Sequence, residues 1–294
     1  MRFRGFRNHY RKSMPLAEKL GKDIKFALKD LGKRLKNKGR EKVIVTYPEF
    51  PSKRTTIFKI AELLGYRLTN KPLKQSEVVL FFHDETSKQA PDEYLLSEAL
   101  VYNLHCTDIS KKKVDEIHLQ VFGYNTFVDP TEHRGLAVEK SDENAMHDGL
   151  TIQCPIAKAK DDKIYQIVLD NEVNERSVMD FRVPHVMGTL PLVYKKYKTM
   201  EKRFTNDVYE SELCRIEDVF SETEIQQIGY FAQLMNAEFA EFDILRHQDD
   251  GRIYIIDVNT TPYGPPAMLP KVDDLKAIKM LAAAFEKGTQ GKTS

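Results

Sequence analysis

Three oxygen-bearing side chains stand close together near the end of the chain, in EFDILRHQDDGRIYIIDVNTTPYGPP at 241–266. Asp-Asp-Gly at 249–251 is a typical turn sequence between two apolar runs, which predicts a β-hairpin. If that turn is centred on its middle residue, Asp243 lies opposite Asp257. Asp257 and Asn259 point to the same side, because side chains alternate along a strand. The sequence therefore predicts that these three side chains converge on one face of a sheet.

This donor set indicates a metal. Two close carboxylates repel each other unless a cation lies between them. Carboxylate and amide oxygens suit Mg²⁺, which proteins usually hold with one or two carboxylates together with substrate phosphates. The alternative is a solvated hairpin face, but Asp257 is embedded in the apolar run IYIIDVN, where an acid needs a partner. We predict that Asp243, Asp257 and Asn259 bind Mg²⁺, or Mn²⁺ in its place.

The pattern D-x-L-R followed by D-G-R-x-Y-x-x-D-V-N-x-T-P-x-G-P-P resembles the magnesium motif that ends the ATP-grasp fold. In that superfamily an acid on one strand is followed by acid-x-Asn on the next. The resemblance implies that Asp243, Asp257 and Asn259 hold the metal ions that carry ATP, and that TTPYGPP borders the second substrate. It covers about half of the chain, 105–270.

The resemblance also implies a fold and a nucleotide site. The fold class is α/β (α+β), an ATP-grasp fold in which a small N-terminal β-α-β domain precedes two α+β subdomains that clasp the nucleotide. LAVEK, which ends at Lys140, resembles the strand whose lysine contacts the ATP phosphates. KIYQIVLDN resembles the strand that leads to the adenine clamp, where Gln166, Asp170 and Asn171 are candidates to hold the base and the ribose.

Basic residues follow in two further segments. MDFRV at 179–183 resembles the Asp-x-Arg strand of the superfamily, so Arg182 is expected to approach the transferred phosphate. A guanidinium group matches phosphate oxygens well, because it is a planar fork of donors. Lys196 and Arg203 are further candidates, although a charged run of this kind is also typical of a solvated face. SDENAMHDG at 141–149 occupies the place of the glycine-rich loop over the phosphates but has a single glycine.

The elements around these residues follow from hydrophobic periodicity. The apolar runs and turns predict a parallel β-α-β unit at the start of the body, a largely antiparallel region from about residue 126, and a helix with a Ser-x-x-Glu capping box. The predicted helices are 15–36, Thr55–Leu64, 91–104, 110–122, Ser221–Met235 and Asp273–Phe285. The predicted strands are 42–47, Glu77–Phe82, Leu136–Lys140, Thr151–Cys154, Lys163–Leu169, Asp180–Met187, Leu192–Tyr197, Glu238–Arg246 and Arg252–Val258.

Composition limits the class of protein. The chain has 294 residues, of which 41% are hydrophobic and 30% charged, an ordinary globular mixture. No apolar window is long enough to span a bilayer, and charges interrupt the N-terminus where a signal peptide would need an apolar core. We expect a cytoplasmic protein with three free thiols and with three parts: a basic arm and amphipathic helix at 1–41, an α/β domain at 42–104 and an ATP-grasp domain at 105–290.

Charge is distributed unevenly. Residues 1–42 contain fifteen Lys or Arg against four Asp or Glu, while the whole chain has a net charge of +1. The predicted helix at 15–36 has leucines on one face and lysines on the other. Such a helix can lie on an anionic membrane surface, which would place the protein at the inner face of a membrane, or pack on the body. Nucleic acid is not expected, because no matching fold signature is present.

The resemblance implies an activity. Most ATP-grasp enzymes activate a carboxylate with ATP as an acyl-phosphate and join it to an amine. We expect an ATP- and magnesium-dependent ligase that forms an amide, with an acidic sugar, a peptide or a cell-surface glycan precursor as the acid. Two alternatives remain open at this stage: a kinase that phosphorylates a hydroxyl group on the same scaffold, and a non-catalytic nucleotide-binding module.

Overall fold

A computed structural model describes residues 15–36, 42–71, 76–89, 100–143, 146 and 148–290. Five α-helices are described: α1 Leu16–Lys36, α2 Thr56–Leu64, α3 Lys111–Phe122, α4 Glu222–Leu234 and α5 Lys271–Gln290. Thirteen strands accompany them: β1 Val43–Pro48, β2 Arg67–Thr69, β3 Val78–Phe82, β4 Leu100–Tyr102, β5 Gly135–Lys140, β6 Leu150–Cys154, β7 Ile164–Ile167, β8 Glu172–Asn174, β9 Ser177–Val186, β10 Val193–Thr199, β11 Glu210–Cys214, β12 Phe239–Arg246 and β13 Ile253–Asn259.

The first sheet is parallel, in the order β2-β1-β3-β4. Helix α2 crosses from β1 and ends at Gly65, which adopts a positive φ of 76° and donates its N–H to the carbonyl oxygen of Ala61. This confirms the predicted β-α-β unit. The prediction of a helix at 91–104 is wrong at its end, because Leu100–Tyr102 pairs with β3 as a strand. Three residues are too few to show a period, and 90–99 lie outside the described residues.

Two antiparallel sheets follow. The larger has the order β11-β10-β9-β12-β13, with β8 paired to β9, and the smaller has the order β6-β5-β7. The sequence predicts the antiparallel character of this region but not its division into two sheets. Between β11 and β12, the side chain of Ser221 accepts the N–H of Glu224, whose carboxylate accepts the N–H of Ser221. This confirms the predicted capping box of α4.

The core leaves one face of the larger sheet open. Its other face carries apolar residues that pack with α3 and α4, among them Phe181, Phe242 and Ile255. Helix α5 returns to the N-terminal sheet, where Leu281 and Phe285 are buried with residues of α2 and β3. Helices α3 and α4 therefore cover one face of the larger sheet, and the smaller sheet lies on the side of its open face. Among the described helices none is long and apolar enough to cross a membrane.

Candidate active site

A row of charged side chains crosses the open face of the larger sheet. Arg182 on β9 pairs in register with Asp243 on β12, which pairs in turn with Asp257 on β13. Directly paired residues of an antiparallel sheet lie on the same face, as do residues two apart on one strand. Asn259 therefore shares the face of Asp257, as the hairpin pattern predicts. All four side chains line one cavity.

Asp243 is surrounded by positive charge. Its two carboxylate oxygens accept hydrogen bonds from Nε and Nη2 of Arg182, both at 3.0 Å. Lys196 donates from Nζ to Oδ1 at 2.8 Å. Burial alone would raise the pKa of Asp243, but Arg182 and Lys196 hold it well below its ordinary value. The cations predicted to approach phosphate thus contact a predicted metal ligand, and Asp243 stays ionised.

Asp257 differs from Asp243 although it lies opposite. Its Oδ1 is buried and has no hydrogen-bond partner among the described residues. Burial, together with the charge of Asp243, raises the pKa of Asp257 to about 6. A buried carboxylate oxygen without a donor is costly unless a cation or a proton satisfies it. Asn259 is near and its Oδ1 accepts the N–H of Thr261 at 2.9 Å, which fixes the orientation of the amide.

The hairpin register depends on an irregularity. Near the turn, Ile244 pairs with Ile255 and Arg246 with Ile253, while Asp243 pairs with Asp257. The register therefore shifts by one residue between Asp243 and Ile244. Ile256 is the additional residue, and it lines the cavity as Asp257 does. The pairs nearest the turn place its centre between residues 249 and 250 rather than on 250, so a regular hairpin would set Asp243 opposite Ile256. The bulge restores the predicted pairing of Asp243 with Asp257.

The smaller sheet supplies the opposite wall. Lys140, at the end of β5, and Gln166, on β7, both line the cavity. Burial and the nearby charge of Lys111 lower the pKa of Lys140 to about 8, although Asp257 acts in the other direction. Gln166 donates from Nε2 to Oγ1 of Thr126 at 2.5 Å. Lys140 and Asp257 thus face the same space from two sheets.

A polar network lines the cavity beyond β7. Asn171 donates to Oδ1 of Asp180 at 3.0 Å. Arg203 donates from Nη2 to the carbonyl oxygen of Leu169 at 2.9 Å and to Oδ1 of Asn171 at 3.2 Å. Asp170 is the exception among the predicted site residues. It does not line the cavity, and its Oδ1 accepts the N–H of Glu172 at 3.0 Å.

The segment at 141–149 is only partly described, since residues 144, 145 and 147 lie outside the described part of the chain. Its two ends are tied together, because Ser141 donates its N–H and its hydroxyl to Asp148, at 3.0 and 2.5 Å. Lys163 donates to the same carboxylate at 2.7 Å. These bonds hold the base of the segment beside Lys140, where the glycine-rich loop was expected.

The sequence does not predict several of the residues that line the cavity. Lys111, Lys198 and Thr126 line the cavity beside the predicted residues. The N-terminal sheet adds Lys53 and Arg54 from the connection before α2. Lysines in charged runs carry no spacing signal, so nothing in the sequence separates these from solvated ones. The cavity of about 950 Å³ therefore lies between three sheets, and the sequence indicates only two of its walls.

The charged cavity lies between the larger and the smaller antiparallel sheets, next to the parallel N-terminal sheet. This is the architecture of the ATP-grasp fold. The ATP-grasp ligase PsnB complexed with a minimal precursor is similar in structure, with a TM-score of 0.54 at 15% identity, over 85% of this chain and 100% of PsnB. The D-alanine–D-alanine ligase of Bacillus anthracis complexed with ATP is also similar, with a TM-score of 0.53 at 13% identity, over 85% of this chain and 97% of the ligase.

A third similar structure is PsnB with a phosphomimetic variant of its minimal precursor, Mg and ADP, with a TM-score of 0.52 at 13% identity, over 84% of this chain and 97% of PsnB. No protein-family model matches the chain, and no curated protein matches it. These comparisons confirm the predicted ATP-grasp fold and extend it over most of the chain, well beyond 105–270.

Proposed function

We propose that this protein is an ATP- and Mg²⁺-dependent ligase that joins a carboxylate to an amine. The observation that carries the proposal is the row Arg182, Asp243 and Asp257 on the wall of a cavity in an ATP-grasp fold. The similar structures support the choice of reaction, because they are ligases, and those complexed with ATP or with Mg and ADP support the choice of nucleotide and metal.

The proposed reaction has two steps. A carboxylate oxygen of the acid substrate attacks the γ-phosphorus of ATP, the bond to the β,γ-bridging oxygen breaks, and ADP leaves. The amine nitrogen then attacks the acyl carbon, phosphate leaves, and the nitrogen loses a proton as the amide forms. Little covalent chemistry falls to the protein in such a reaction. Its contribution is to position the reactants and to neutralise charge on the transferred phosphoryl group.

The donor set fits a magnesium ion. The buried Oδ1 of Asp257, which has no hydrogen-bond partner among the residues that the structure describes, is an oxygen for which a cation would compensate. Asn259 presents an amide oxygen on the same face. Asp243 would complete the set with an oxygen it shares with Arg182 and Lys196. The described residues contain no cluster of three His, Cys, Asp or Glu that could hold a metal, so the phosphates would provide remaining ligands. Bound there, magnesium would draw negative charge from the phosphate oxygens.

The roles that we propose for the remaining residues follow from their positions in the cavity. Arg182 and Lys196 would add positive charge beside the metal face, and Lys140 would contact phosphates from the smaller sheet. Gln166 and Asn171 would bind the base and the ribose, and Arg203 would hold this end closed through Leu169 and Asn171. Asp170 keeps a supporting role in this proposal, because its carboxylate binds a backbone N–H outside the cavity.

The substrate classes are further proposals. An acidic sugar or a glycan precursor remains a candidate acid. PsnB in complex with precursor peptides supports a peptide as a second candidate.

Position in the cell is also proposed. Helix α1 exposes a stripe of leucine and isoleucine, and residues 1–42 carry a surplus of positive charge. Through this part of the chain we propose contact with the inner face of an anionic membrane, which would bring the cavity near lipid-linked acids.

Asp257→Asn tests the function, because it keeps the shape of the side chain and removes its charge. The affinity for Mg²⁺ with AMPPNP should fall at least about tenfold, since one charged ligand is lost. ADP release with a panel of acids plus an amine should fall further. Asp249→Asn, at the exposed tip of the same hairpin, is the matched control. Wild-type nucleotide binding in Asp257→Asn would contradict the assignment, and ADP release with a hydroxyl acceptor alone would indicate the kinase instead.

A further inference from the structure

One wall of the cavity is basic and belongs to the N-terminal sheet. Lys53 and Arg54 lie in the connection between β1 and α2, and Lys59 lies on α2. All three line the same cavity as Asp257 and Asn259. Asp84 is the acidic residue that this sheet adds to the described lining, and its Oδ1 accepts the hydroxyl of Thr261 at 3.1 Å. Lys59 also lies 3.7 Å from Oδ1 of Asp274, so the wall keeps a surplus of positive charge that Lys53 and Arg54 supply.

This wall is built against the segment that follows the predicted metal ligands. Thr56 donates its N–H to the carbonyl oxygen of Pro262 at 2.9 Å, and Thr55 and Tyr263 form an isolated antiparallel β-bridge. The guanidinium of Arg54 lies 5.8 Å from the centre of the Tyr263 ring. Backbone bonds and a ring contact thus fix where Arg54 stands. The fold therefore determines the position of Arg54, unlike the position of a lysine or arginine on an open surface.

The wall is also connected to the metal end of the predicted nucleotide site. Gln166 and Asn171 mark the base end, and Asp257 and Asn259 mark the metal end. Thr261 binds the side chain of Asn259 through both its N–H and its hydroxyl. Tyr263 follows in the chain, lines the same cavity and lies beside Arg54. A substrate that receives the γ-phosphoryl group would lie between Asn259 and Arg54.

We infer that the acid substrate carries at least one carboxylate besides the one that is activated, and that Arg54, with Lys53 and Lys59, binds it. This inference rests on the proposed function. A guanidinium recognises a carboxylate through two parallel hydrogen bonds, and the lysines raise the local positive potential. In the proposed function the activated carboxylate would lie at the metal face, where Arg182 and Lys196 supply positive charge. A second one explains why charge continues past that face.

The experiment measures binding to the full chain in the presence of Mg²⁺ and AMPPNP by calorimetry. Tri-glutamate and tri-galacturonate are the acidic probes, one a peptide and one a sugar, and tri-glutamine is the neutral probe. At least one acidic probe should bind more tightly than tri-glutamine. The variant Lys53→Gln/Arg54→Gln/Lys59→Gln should weaken that binding at least about tenfold, because charged hydrogen bonds are lost.

A matched variant separates local charge from total charge. Lys112→Gln/Lys271→Gln/Lys276→Gln removes the same charge from exposed helix positions outside the cavity lining. It should bind the acidic probe like the wild type. The acid that responds to the cavity variant identifies the substrate as peptide or sugar.

Three results would overturn the inference. The first is that neither acid binds better than tri-glutamine. The second is that the cavity variant binds the acid like the wild type. The third is that the cavity variant loses AMPPNP affinity to the same extent as acid affinity. The last result would assign the three residues to the nucleotide. Failure of the wild type to bind AMPPNP is a different outcome, because it contradicts the proposed function itself.

Discussion

Asp243 and Asp257 show how position decides the state of two identical residues. They pair across adjacent strands, but Arg182 and Lys196 bind only the first. The second is half-buried, its buried Oδ1 lacks a donor among the described residues, and its pKa is raised to about 6. One aspartate is therefore stabilised as an anion by the protein alone, and in the proposed function the other would bind a cation that arrives with the nucleotide.

His118 is a buried residue that takes no part in this chemistry. Its ring stacks on Phe122 with 4.3 Å between the ring centres, and the centres of the Tyr124 and Tyr254 rings lie 5.2 and 5.7 Å away. Both ring nitrogens lack a hydrogen-bond partner in the described part of the chain. Burial lowers the pKa of His118 from 6.5 to about 4. The ring is thus neutral in the folded protein over a range in which the unfolded chain would bind a proton.

We predict that His118 makes the protein sensitive to mild acid. The folded pKa lies below the unfolded one, so the stability is complete above pH 6.5 and falls as the pH decreases toward 4. Between pH 7.5 and 5.0 the loss should be about 2 kcal/mol. His118→Phe keeps an aromatic ring without the titration, so its urea midpoint should fall less over this interval. An equal fall in both proteins would contradict the prediction.

At the scale of elements, the hairpin shows what the sequence can and cannot predict. The Asp-Asp-Gly turn, the alternation and the capping box of α4 are local patterns, and all three appear in the structure. The register shift beside Asp243 is not a local pattern. The pairing of Arg182 with Asp243 joins residues 61 positions apart and depends on the order of strands in the sheet. Strand β4 is too short to show a period.

Helix α1 is an element whose apolar face is not used by the described body. Leu16, Ile24, Leu28, Leu31 and Leu35 are each between 53% and 74% exposed. Asp23, by contrast, is buried, and Lys29 forms an ion pair with Glu62 on α2. The helix thus contacts the body through polar residues and directs leucines outward. Lysines flank the exposed stripe, which is the pattern of a helix that lies on an anionic surface.

We predict that Leu28→Glu/Leu31→Glu reduces binding to vesicles of phosphatidylcholine mixed with phosphatidylglycerol at least about tenfold, because two apolar side chains no longer enter the interface. Cosedimentation measures the effect. Val272→Glu/Leu275→Glu places the same charges at exposed apolar positions on α5 and should bind like the wild type. Equal binding to pure phosphatidylcholine would exclude the electrostatic part. A dimer that only the α1 variant abolishes would assign the stripe to a second copy instead.

At the scale of the whole molecule, the cavity is lined from three sheets, and the junction of two of them is fixed by direct contacts. Backbone bonds join the start of α2 to the segment after β13, and α5 packs on α2 behind them. Glu241 lies within this junction. It is fully buried, its Oε2 is 3.8 Å from Nε of Arg182, and its Oε1 accepts the Thr56 hydroxyl at 3.5 Å. The row of charged residues is therefore connected to the N-terminal sheet.

Gly264 fills the narrowest place in this junction. A Cβ atom there would come within 2.7 Å of Oε1 of Glu241 and 3.0 Å of Oγ1 of Thr56. We predict that Gly264→Ala lowers stability by about 1–3 kcal/mol, because the buried Glu241 has little room to move. It should also weaken AMPPNP binding, since Glu241 adjoins Arg182. Gly229→Ala is the control. It lies in α4 with open space around it, so alanine should raise stability there by about 0.5–1 kcal/mol. Thermal unfolding and nucleotide titration measure both effects. If Gly264→Ala matched the wild type in both, the junction would be looser than its contacts indicate, and the charged row would not depend on how the sheets meet.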